Sequence, residues 1–220
     1  MAYKLLNSAY DDYIAARYLL NEERYLLQAV TLASTAVEKY IKSVLAVIGQ
    51  GNRMRFHLHQ AHKLKKLLND HYTDFTRFFD PYFLEILGLA YQHRYYDVEQ
   101  KATIGFFINQ FLGELDFVVY YVEYKILADS KDGNGQPLKT AYKAQVEQSS
   151  EDLYLNNYIF NQISKKQHME KPGNAYALHL DHRLLHAILI SCKNIVVPYE
   201  GRMMRIHVQS SDDAKSKHTT

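Results

Sequence analysis

The residues best suited to binding chemistry lie between positions 91 and 97, in the segment YQHRYYD. A guanidinium held between two apolar helices can form paired hydrogen bonds with phosphate oxygens, which makes Arg94 a candidate anion ligand. Asp97 could orient this guanidinium, and Tyr91 or Tyr95 could stack on a base. The alternative is structural: Arg94 and Asp97 form an internal ion pair, and the tyrosines pack at a dimer seam.

A second candidate is the basic stretch from position 53 to position 66, which contains the positive residues Arg53, Arg55, Lys63, Lys65 and Lys66. Because one Phe and three His are interleaved, this stretch predicts contacts with a phosphate backbone, unless it is a solvated helix face. His62 is a candidate ligand or proton carrier because imidazole titrates near neutrality, and the alternative is a hydrogen bond at a helix start. No carboxylate or Cys lies among these histidines, so we predict no metal site and no cofactor.

The composition is that of an ordinary globular protein with long helices. Of the 220 residues, 47% are hydrophobic and 23% are charged, while only 9 are Gly and 4 are Pro, which disfavours a loop-rich β-sandwich. A net charge of +2 is too small to indicate a nucleic-acid or membrane partner by itself. The single cysteine, Cys192, excludes an internal disulfide, and its apolar neighbours predict that it is buried.

Membrane and secretion signals are not expected in this chain. No apolar run approaches the roughly 20 residues that span a bilayer. The first residues, MAYKLLNSAYDDY, become polar too soon for a secretory signal. We therefore expect a cytoplasmic protein with no membrane partner.

Apolar spacing predicts helices through most of the first 128 residues. Spacings of three and four predict one helix over 3–21 and a second over about 24–48. Asp80 followed by Pro81 predicts the start of another helix, because Asp caps a helix and Pro suits its first turn. The most apolar stretch, about 102–128, predicts a long central helix.

The pattern changes at residues 129–137, whose sequence DSKDGNGQP predicts a linker. Beyond the linker we expect a helix from about 149 to 163 and a second between 181 and 198. A short strand is expected over 202–208. Residues 210–220 are polar and charged, so we expect a disordered tail.

These elements together predict an all-α fold. The predicted architecture is an up-and-down bundle of four to five helices with a small C-terminal helical extension, since short connections favour antiparallel neighbours. The bundle would occupy residues 1–128, and the extension, mostly helical, residues 138–209.

Four sequence pieces within the first 128 residues resemble those of the HEPN family, helical domains named for nucleotide binding in higher eukaryotes and prokaryotes. The first predicted helix carries Ala9-x-x-Asp12, and the second carries ASTAVEKYIK, similar to the family's A-x-x-A-x-E-K-x-x-K. The piece that begins at His62 is similar to H-x-L-x-x-L, and the segment from Tyr91 to Asp97 resembles the R-Y-P-D branch. The order and spacing of the four pieces carry the resemblance.

The resemblance implies a nucleotide- or RNA-binding module that forms a homodimer, so that two Arg94 side chains share one cleft. Similar domains commonly accompany nucleotidyltransferase partners in prokaryotic toxin–antitoxin or defence systems, which implies a protein partner. Glu99, Gln100 and Lys101 stand where the family's ribonucleases have a His, and Tyr96 stands in place of the Pro of R-Y-P-D. The resemblance therefore implies binding without catalysis.

Two other functions stay open at this point. One is a divergent metal-independent ribonuclease that takes its His from elsewhere, such as His93 or His62. The other is a helical protein–protein interaction module that uses its helix faces and the C-terminal extension. These motifs do not determine whether the chain is an enzyme.

Overall fold

Helices with three- and four-residue apolar spacing make up most of the fold, and a small sheet completes it. The structure is a computed structural model that describes residues 2–47, 79–94, 102–180 and 188–206. In chain order its elements are α1 (Ala2–Asn21), α2 (Leu26–Val47), α3 (Pro81–Arg94), β1 (Ala102–Phe107), α4 (Ile108–Tyr121), a π-helical turn (Val122–Ile126), α5 (Ala141–Glu147), α6 (Glu151–Tyr154), α7 (Lys165–Met169), β2 (Gly173–Leu180) and β3 (Ile188–Ile195).

Helices α1 and α2 pack along their apolar stripes, as their sequence spacing predicts. The stripe of α1 is fully buried at Leu6, Ala9, Tyr13, Ala16 and Leu20. A short turn at 22–25 connects the two helices, and short connections favour antiparallel neighbours. The predicted helices over 3–21 and 24–48 are therefore confirmed for the residues that the structure describes.

Helix α4 is central, and aromatic side chains join it to its neighbours. The Phe111 ring lies 5.0 Å, between centroids, from both Phe83 of α3 and Phe106 of β1. All three rings are fully buried. Aromatic pairs at this separation add stability beyond their buried area, so this group fixes α3 and β1 against α4.

The three strands form one antiparallel sheet in the order β1-β2-β3. Strand β1 pairs with β2 in a regular register that includes Ile104 opposite Leu178 and Phe106 opposite Tyr176. Strand β2 also pairs with β3, with a register shift between Gly173 and Ala175. The sheet therefore joins a strand from before residues 129–137 to two strands from after them. The division of the chain into two parts at that segment stays a prediction.

The predicted all-α fold class is wrong, because the described residues contain this three-stranded sheet, and the up-and-down bundle stays a prediction. Residues 102–107, predicted as the start of a long helix, form β1, and helical structure begins only at Ile108. Residues 188–195, predicted as part of a helix, form β3. Both are short stretches of six and eight residues, and periodicity alone cannot separate a strand from a helix over so few residues.

Smaller predictions for the second part of the chain also differ from the structure. The helix expected over about 149–163 is limited to Glu151–Tyr154 and is followed by turns. Residues 202–206 form no strand. Cys192 is exposed on β3 rather than buried on a helix. None of the helices in the described ranges is long and apolar enough to cross a membrane.

Candidate functional site

Of the predicted ligand-binding residues, the structure describes those on α3. Tyr91 lies in the last turn of α3 and is partly buried. Arg94 is the final residue of α3. The other predicted ligand residues and the four predicted phosphate contacts lie outside the described residues: Tyr95, Asp97, His62, Arg53, Arg55, Lys63 and Lys66.

Helix α3 is anchored at its first turn, which fixes where its last residue lies. Asp80 Oδ1 accepts hydrogen bonds from the backbone N–H groups of Tyr82 at 2.8 Å and Phe83 at 2.9 Å. This is the predicted cap, and it is confirmed. The Ser34 hydroxyl of α2 donates to the Leu87 carbonyl at 2.8 Å and holds α3 against α2. Arg94 is the last residue of α3 that the structure describes, on a helix that the Asp80 cap and Ser34 hold in place.

The charged residues of the first two sequence pieces contact each other. Lys39 Nζ on α2 lies 2.7 Å from Asp12 Oδ2 on α1 and 2.7 Å from the Ser8 hydroxyl. Glu38 accepts a 2.6 Å hydrogen bond from Lys42 one turn later, which is the pairing expected four residues apart. Lys39 therefore aligns α1 with α2, whereas the Glu38–Lys42 pair lies within α2, and both contacts are structural.

A buried ion pair that the sequence did not reveal joins α1 to α4. The Arg17 guanidinium contacts Asp116 Oδ1, and the Tyr13 hydroxyl donates to the same oxygen at 2.8 Å. Arg17 is 1% exposed and Asp116 is 0% exposed. Arg17 also donates to the backbone carbonyl of Leu155, beyond α6. One side chain thus connects the first helix, the central helix and the second part of the chain.

Burial sets the electrostatics of this pair. Burial raises the pKa of Asp116 above its ordinary value, and hydrogen bonds from Arg17 and Tyr13 offset only part of that effect. Burial opposes the charge on Arg17, but the Asp116 carboxylate raises the Arg17 pKa overall, so the guanidinium stays charged. Asp116 Oδ2 has no hydrogen-bond partner among the described residues. The pair is a structural connection that is sealed from solvent.

Glu114, near the middle of α4, forms a polar cluster with Lys165 of α7 and with Tyr199. Glu114 Oε1 accepts hydrogen bonds from Lys165 Nζ at 2.7 Å and from the Tyr199 hydroxyl at 3.2 Å. The Glu114 side chain is 1% exposed, whereas that of Lys165 is 26% exposed. Lys165 Nζ also lies 4.4 Å from the centre of the Phe117 ring, a cation–π contact. Burial raises the pKa of Glu114, and Lys165 lowers it in part.

His168, three residues after Lys165, is buried beside this group. Its ring lies 5.4 Å from the ring of Tyr158. Neither ring nitrogen has a hydrogen-bond partner among the described residues. Burial and the charge of Lys171 lower the pKa of His168 to about 4, so the ring is neutral at physiological pH. A neutral, enclosed imidazole of this kind packs as an aromatic side chain and is a poor phosphate ligand.

Acidic residues within the mostly apolar stretch 108–126 are the one sequence signal that could have indicated the buried contacts of Glu114 and Asp116. Glu114, Asp116 and Glu123 interrupt a mostly apolar sequence, and a carboxylate buried in such a stretch requires a partner. Their partners lie up to 103 residues away in the sequence, so spacing could not identify them. No group of three or more His, Cys, Asp or Glu side chains in the described ranges is arranged to hold a metal ion.

Comparison of the chain with protein-family models, with curated proteins and with solved structures returned no match. The likeness to the HEPN family therefore depends on the four sequence pieces alone. Nothing in these comparisons assigns a ligand, a reaction or a partner.

Proposed function

We propose that this chain is a non-catalytic HEPN-type module that binds a nucleotide or RNA through Arg94. The observation that supports this proposal most directly is the pairing of Lys39 with Asp12 at 2.7 Å. Each of these residues belongs to one of the family-like sequence pieces. Their contact gives both pieces a joint role in aligning α1 with α2, which is what a shared fold requires.

The position of α3 supports Arg94 as the anion ligand. The Asp80 cap and the hydrogen bond from Ser34 to Leu87 fix α3 on α2. The fourth family-like sequence piece, which runs from Tyr91 to Asp97, therefore begins on a fixed helix. Sites on rigid helices hold their ligands in a defined geometry. Arg94, followed by Tyr95 and Asp97 in the sequence, supplies the donor fork and the ring needed for a phosphate and a base.

The wider assembly is part of the same proposal. A homodimer would bring two Arg94 side chains to one cleft. A nucleotidyltransferase-type protein in a cytoplasmic toxin–antitoxin or defence system would be the partner that the family resemblance implies. Sedimentation of the purified chain tests the dimer, and a monomer at micromolar concentration would contradict that part of the proposal.

The test of binding uses a short fluorescein-labelled single-stranded RNA and, separately, ATP. Anisotropy and calorimetry are measured for the wild type, Arg94→Ala and Arg202→Ala, the last of which removes an exposed arginine as a matched control. A hydrogen bond to a charged group contributes about 1.5–3 kcal/mol, so Arg94→Ala should weaken binding at least about tenfold. Arg202→Ala should bind as the wild type does.

Two outcomes would overturn the proposal. Equal affinity for the wild type and Arg94→Ala would remove Arg94 as the ligand. Absence of binding to both probes would leave a helical scaffold. The same RNA, run on a gel after incubation, tests the ribonuclease alternative: cleavage by the wild type that Arg94→Ala abolishes would make the module catalytic.

A further inference from the structure

Glu123 occupies an unusual place in the fold, on the π-helical turn that follows α4. The π-helical turn covers Val122–Ile126, and Glu123 is its second residue. Turns with this wider backbone spacing are rare and occur frequently at functional sites. The side chain of Glu123 is 0% exposed. A carboxyl group in such a position needs either a cation or a proton to neutralise it.

No cation neutralises Glu123 among the described residues. Glu123 Oε2 accepts a 2.8 Å hydrogen bond from the Thr140 hydroxyl, and Oε1 has no hydrogen-bond partner. Lys143 is the cation that faces it, but its Nζ donates to the Leu127 carbonyl at 3.3 Å instead. The geometry therefore favours the protonated carboxyl.

The other titratable groups that face Glu123 are tyrosines: Tyr40 on α2, Tyr124 on the π-helical turn and Tyr142 on α5. The buried Tyr40 hydroxyl faces the Glu123 carboxyl and favours its ionised form in part, whereas the buried Tyr142 hydroxyl has no hydrogen-bond partner among the described residues. Burial raises the pKa of Glu123 to about 7, although Thr140, Lys143 and Tyr40 each oppose this effect in part.

Thr140 links the Glu123 carboxyl group to the start of α5. Its hydroxyl accepts from the Lys143 N–H at 3.2 Å and so caps α5, while it donates to Glu123. The neighbouring Ala141 N–H donates to Asn7 Oδ1 of α1 at 3.2 Å. The start of α5 is thus fastened to the helical core at two adjacent residues, one of which depends on Glu123.

We propose that Glu123 is a proton-controlled attachment that holds the start of α5 on the helical core when it is protonated and weakens that hold when it is ionised. Ionisation leaves a negative charge with one neutral hydrogen bond in a buried position, which favours local opening that admits water. The proposal does not depend on nucleotide or RNA binding.

The direction of the pH effect follows from the two states of the carboxyl group. In the closed state its pKa is about 7, and in an open, hydrated state it returns to the ordinary 4.5. The closed state therefore binds the proton more tightly, and its stability falls as pH rises from 4.5 through 7. Between about pH 5.5 and about pH 8.5 the opening equilibrium should increase roughly 30-fold.

Hydrogen exchange of the full chain tests this proposal. Exchange of the amides of α5 is measured at both pH values and corrected for the intrinsic rates, in the wild type, Glu123→Gln and Glu151→Gln. Glu123→Gln mimics the protonated acid, so its α5 protection should be independent of pH. Glu151 is exposed, so its variant should show the same loss of protection as the wild type.

Equal pH dependence in the wild type and Glu123→Gln would overturn the proposal, as would protection in the wild type that does not change with pH. If Glu123→Gln does not fold, carbon NMR of glutamate side chains in the wild type provides the second measurement. One carboxyl resonance must then titrate near neutrality together with exchange at α5, and Thr140→Val must shift that titration. A set of glutamates that all titrate near 4.5 would also refute the proposal.

Discussion

Replacement of Arg17 by Met is expected to be among the most destabilising single changes in the described part of the chain. The Arg17 guanidinium is buried, it contacts Asp116, and it donates to the Leu155 carbonyl. Met fills much of the same volume but leaves Asp116 buried without its cation. Removal of one partner from a buried pair costs about 3–5 kcal/mol. The free energy of unfolding, measured with urea at about pH 8, should fall by that amount.

The exposed pair Lys139–Glu147 provides the matched control. Its atoms are 2.9 Å apart, but its side chains are 67% and 63% exposed. Pairs of this kind contribute about 0–1 kcal/mol, so Lys139→Met should leave the free energy of unfolding nearly unchanged. The cost of Arg17→Met should also be larger at about pH 8 than at about pH 5.5. Without Arg17 the pKa of Asp116 is raised further above 3.8, so folded-state stability falls as pH rises through that range.

A double variant separates the charge from the packing. Replacing Arg17 by Met and Asp116 by Leu removes both charges, and well-packed apolar replacements of buried pairs are often neutral or stabilising. We expect the double variant to be more stable than Arg17→Met alone, but less stable than the wild type, because the Tyr13 hydroxyl and the Leu155 carbonyl lose their partners at a cost of about 1–3 kcal/mol for each buried group left unpaired. A cost below about 1 kcal/mol for Arg17→Met alone, equal to that of the exposed pair, would refute the reasoning.

Three further changes have defined outcomes. Asp80→Ala removes the α3 cap and the acceptor of the Met203 N–H, so it should cost about 2 kcal/mol in thermal unfolding, and Asp80→Asn should cost less. Gly105→Ala places a Cβ 2.6 Å from Ile206 Cβ, so unfolding in urea should show a loss of about 1–3 kcal/mol. Lys165→Met raises the pKa of Glu114 further, so stability should fall more steeply between about pH 5 and about pH 8 than in the wild type.

The helices that local spacing predicts are those whose apolar stripe is long. Both α1 and α2 extend over about twenty residues, enough for several turns to repeat the same face. The start of α3 was predictable because Asp80 caps the helix and Pro81 suits its first turn, and both effects involve only neighbouring residues in the sequence. The β1 and β3 strands were not predictable, because stretches of six and eight residues fit either a helix or a strand, and pairing with β2 decides between them.

The sequence could likewise identify only some of the residues discussed as functional candidates. Arg94 could be selected from its own neighbours in the sequence, and the structure describes the helix that leads to it. The buried contacts of Asp116 and Glu123 could not be selected, because each depends on a partner brought near by folding. Arg17 is 99 residues from Asp116, and Thr140 lies beyond the loop that follows the π-helical turn.

The salt dependence of RNA binding tests the proposed role of Arg94 most directly. Each phosphate contact by a cationic side chain contributes about 0.7 to the slope of log affinity against log salt on a single strand. Arg94→Gln, compared with the wild type over a salt series, should bind more weakly and with a slope shallower by about that amount per arginine. Identical slopes and affinities for the two proteins would show that no phosphate contacts Arg94, and the proposed binding role would fail.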